Sequence, residues 1–87
     1  MNYYLLVCGT ITYAQRVAAV LRNIGIRHEM LRVPTGLTGA GCEYAVKLAE
    51  QNLRTALQYI TQQRLTVKRI YAQEHDGYRE VSAYDLF

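Results

Sequence analysis

The sequence predicts an α+β sandwich, with two helices on one face of an antiparallel sheet. Three observations predict it. At 87 residues the chain has room for one core, so residues 1–87 form a single small domain. Apolar residues make up 51% and charged residues 20%, as in an ordinary globular chain. Period-2 and period-3.6 apolar patterns then alternate in the order β-α-β-β-α-β, with a further strand at the end.

Each element follows from its residues. Tyr3 to Cys8 is apolar on both parities, which reads as a central strand covered on both faces. Gly9-Thr10 breaks it. Thr12 and Gln15 match a capping box. Ala14, Val17, Ala18, Leu21 and Ile24 then recur at helical spacing, and Gly25 ends the helix where a left-handed residue is wanted. Ile26 to Val33 is a second, more polar strand, as at a sheet edge. Pro34 to Gly41 is a glycine-rich loop. Tyr44, Val46 and Leu48 alternate with Glu43, Ala45 and Lys47, predicting a third strand with one wet face. Asn52 is placed to cap a second helix, carried by Leu53, Ala56, Leu57 and Ile60 and ending near Arg64. Val67 to Ala72 is a fourth strand. Asp76-Gly77 marks a hairpin, so Tyr78 to Ser82 fold back as a fifth.

This order matches the ferredoxin-like split βαβ motif. Right-handed crossovers put the first and third strands in the centre. The face away from the helices is expected to carry several of the eight tyrosines. It could then pair with a second copy or another protein.

Composition excludes several functions. No apolar run reaches the ~20 residues of a membrane-spanning helix. The start, MNYYLLVCGT, lacks the basic region of a signal peptide. A reducing cytoplasm is therefore the expected location, and a structural disulfide between Cys8 and Cys42 is not expected there. No CxxC occurs, and His28 and His75 stand far from both cysteines, so no metal is expected. The net charge is +3, with acids interleaved: Glu29 near Arg27, Glu43 near Lys47, Glu80 beside Arg79. Nucleic-acid binders cluster their positive charge instead. The glycine pattern precedes a strand rather than opening a helix, so it is not a dinucleotide fingerprint. No cofactor is implied.

Topology gives one cysteine a chemical setting. The first strand delivers Cys8 to the sheet end where the first helix begins. The second strand leads through Arg32 to the loop, the third descends from Cys42 past that same end, and the fourth starts there with Lys68. A helix N-terminus and two cations favour thiolate over thiol, and such settings bring a cysteine pKa from ~8.5 toward ~3.5–7.5. Cys42 is thus a candidate nucleophile. Cys8 is a core residue placed where it could act as a resolving thiol. Gly36, Gly39 and Gly41 would let a ligand or a partner's sulfur approach the backbone closely. The bland reading of the same stretch is a long hairpin loop followed by an incidental cysteine.

The chain also resembles the bacterial Se/S carrier protein-like family, a domain family of unknown function. The likeness runs from about Tyr3 to Val81. It rests on Tyr3-Tyr4-Leu5-Leu6, on the helix end Asn23-Ile24-Gly25-Ile26, on Val33-Pro34 and on Ala40-Gly41-Cys42. The resemblance implies a carrier of reduced sulfur or selenium on Cys42, with donor and acceptor proteins as partners, rather than a turnover enzyme. Two positions depart from the family pattern. Thr35-Gly36 follow the proline where an Arg is usual, and Glu43 follows the cysteine where a Gly is usual. A carboxylate beside a thiolate raises its pKa. The alternative function is a non-catalytic interaction or dimerisation module using the Tyr-rich sheet face.

Overall fold

The structure, a computed structural model, describes residues 2–33 and 43–82. The strands are β1 (Tyr3–Val7), β2 (His28–Arg32), β3 (Tyr44–Ala49), β4 (Arg69–Glu74) and β5 (Gly77–Val81). The helices are α1 (Ile11–Asn23) and α2 (Leu53–Gln62), the latter entered through a 3₁₀ turn, Glu50–Asn52. All strand pairs are antiparallel, in the order β2-β3-β1-β4-β5. The α+β class therefore holds, β1 lies at the centre, and β2 is an edge strand.

Alternation along β1 sorts the core into two parts. Tyr4 and Leu6 join Ala14, Val17 and Leu21 of α1 and Ala56 and Ile60 of α2 in the larger cluster. Leu5 and Val7 point the other way, into a smaller cluster with Val33, Ala45 and Tyr71. Leu5, Leu6 and Val7 are all 0% exposed, as a strand apolar on both parities requires.

The expected wet face of the third strand is corrected by this second cluster. Ala45 is 0% exposed and Glu43 4%. Tyrosines stand on both faces of the sheet. Tyr71 and Tyr78 lie on the face away from the helices, but Tyr4 and Tyr44 pack toward them.

The caps show how each helix is bounded. Thr10, not Thr12, is the N-cap of α1, its Oγ1 accepting from the Tyr13 amide at 3.1 Å. Gly9, at φ +85°, turns the chain directly from strand to helix. At the other end the Ile26 amide donates to Leu21 O and the Gly25 amide to Arg22 O, a Schellman motif. Asn52 makes no side-chain cap bond, because the 3₁₀ turn already precedes α2.

The same C-terminal motif closes α2, with Leu65 donating to Ile60 O and Arg64 to Thr61 O. Here the left-handed residue is Arg64, at φ +60°. A side chain in that conformation costs on the order of 1 kcal/mol relative to glycine. Arg64→Gly is expected to stabilise the fold by about 0.5–1 kcal/mol, read as a higher urea midpoint.

Candidate functional site

Backbone pairing places Cys8, Arg32 and Lys68 at one end of the sheet. The Cys8 amide donates to Tyr44 O at 2.8 Å, and the Lys68 amide to Val7 O at 2.7 Å. The Val33 amide donates to Glu43 O at 2.8 Å. The chain thus leaves the sheet at Val33 and re-enters it beside that residue. Arg32 stands opposite Tyr44 in the β2–β3 ladder. Cys42, Gly36, Gly39 and Gly41 lie outside the described residues.

Cys8 is a free thiol and is buried. Its Sγ donates to Leu6 O at 3.2 Å. Burial pushes its pKa from the ordinary 9.0 up to about 12, so at neutral pH it is protonated and a weak nucleophile. The shift makes folding pH-dependent. Between pH 9 and 12 the unfolded chain ionises at Cys8 while the folded chain does not. The contribution is present in full below pH 9 and is lost as pH rises toward 12. Wild type is expected to lose on the order of 2–4 kcal/mol more than Cys8→Ala across this range. Urea midpoints of both proteins at about pH 8 and about pH 10.5 check this.

Glu43 is the one buried charged side chain among the described residues. Lys68 Nζ meets its Oε1 at 2.5 Å. The ammonium is half exposed and the carboxylate 5% exposed, so the lysine stem reaches inward to a charge held away from water. Arg69 lies close by. Its guanidinium is held above its already high pKa, first by the hydrogen bond to Tyr71, with further contributions from the Glu80 and Glu43 carboxylates.

Sequence patterning missed this arrangement. A Glu in an alternating run reads as solvent-facing, and its partner is far along the chain. Glu43 is thus paired with Lys68 rather than facing water.

The model of the family described as "Putative Se/S carrier protein-like" matches residues 3–72. The chain belongs to that family. No curated protein and no solved structure matches this Se/S carrier-like chain. Among the described residues, no helix is long and apolar enough to cross a membrane, and no group of three or more His, Cys, Asp or Glu could hold a metal ion.

The surface bears on the alternative function. Tyr71 is 4% exposed, and the large exposed hydrophobics among the described residues are Ile11 and Tyr59, both helical. Neither contributes to a Tyr-rich patch on the sheet.

Proposed function

We propose that Cys42 carries sulfur or selenium, as a persulfide or selenopersulfide, from a donor enzyme to an acceptor enzyme. The observation that carries this reading is the family match, whose span contains Cys42. The pairing of Val33 with Glu43 supports it, because it anchors both flanks of the 34–42 segment at the sheet end.

Loading follows from thiolate chemistry. The Cys42 thiolate attacks the outer sulfur of a donor persulfide. An S–S bond to Cys42 forms, the donor's S–S bond breaks, and the donor leaves as a thiolate. Electrons balance, and no oxidant is consumed. Gly36, Gly39 and Gly41 admit the donor's sulfur, while Arg32 and Lys68 stabilise the anionic product. Cys8 serves as core, since its buried thiol stays protonated. The scaffold is a ferredoxin-like βαββαβ sheet with an added hairpin strand.

Incubation with a cysteine desulfurase and cysteine, followed by intact mass, tests the reading. Wild type and Cys8→Ser are expected to gain one reducible sulfur atom, and Cys42→Ser none. No gain on the wild type would end the carrier reading.

A further inference from the structure

We draw no further inference here: the strongest candidate, the groove of about 860 Å³ between β5 and the C-terminal half of α2, has an apolar floor of Leu57, Ile60, Ile70 and Val81 but borders Ser82, the last of the described residues, so nothing in the structure shows what covers it.

Discussion

Leu5→Ala and Leu6→Ala are each expected to destabilise the fold by about 3 kcal/mol. The two residues are neighbours in β1, both 0% exposed, yet they serve opposite faces. Leu6 packs under the helices with Ala14, Val17 and Ile60. Leu5 packs with Val7, Ala45 and Tyr71 on the reverse side. Truncation removes the transfer energy of the lost methyl groups and leaves a cavity that the rigid centre of a sheet cannot close. Were the reverse side an ordinary solvent face, Leu5→Ala would cost under about 1 kcal/mol. Urea midpoints at constant slope decide between these outcomes. A small Leu5 effect beside a large Leu6 effect would show that the second cluster is not a true core.

Lys68→Met is expected to cost about 2–3 kcal/mol, and Lys68→Arg to restore most of it. The methionine keeps the stem but removes the charge opposite Glu43, leaving a buried carboxylate without its ammonium. Stranding a buried charge costs more than an exposed ion pair contributes. Glu43→Gln in the Lys68→Met background should recover stability, since no charge then needs a partner. The same series predicts opposite changes at Cys42. Lys68→Met removes the ammonium opposite Glu43, the residue next to Cys42 in sequence, and is expected to move alkylation to higher pH, whereas Glu43→Gln alone is expected to move it to lower pH. A pH–rate profile with iodoacetamide reads both. Stability loss without any shift in the profile would limit the ion pair to a structural role.

Much of the fold was legible because single-residue patterns carried it. Apolar residues on both parities marked β1 as central, and helical spacing from Ala14 to Leu21 marked α1. The more polar Ile26–Val33 stretch predicted the edge position that β2 occupies. Boundaries were less legible where two patterns competed. Thr12 with Gln15 satisfied a capping box on paper, but the left-handed turn at Gly9 starts the helix early enough for Thr10 to cap it. At the candidate site, strand direction was enough to bring Cys8, Arg32 and Lys68 to one end. The burial of Glu43 was not legible, because it depends on a lysine that arrives from the far side of β1. Nor was the second cluster, because alternation assigns one face of an antiparallel strand to water by default.

The central place of β1 also orders events during synthesis. Tyr4 pairs with Leu48 on one side and with Ala72 on the other. The strand made first is therefore completed by one of the last. Until the ribosome has released residues 69–74, one edge of a strand that is greasy on both sides has nothing to zip against. Such a nascent segment is prone to mispairing with other chains. Fast translation through the C-terminal third, or a chaperone holding the N-terminal strand, would shorten that window.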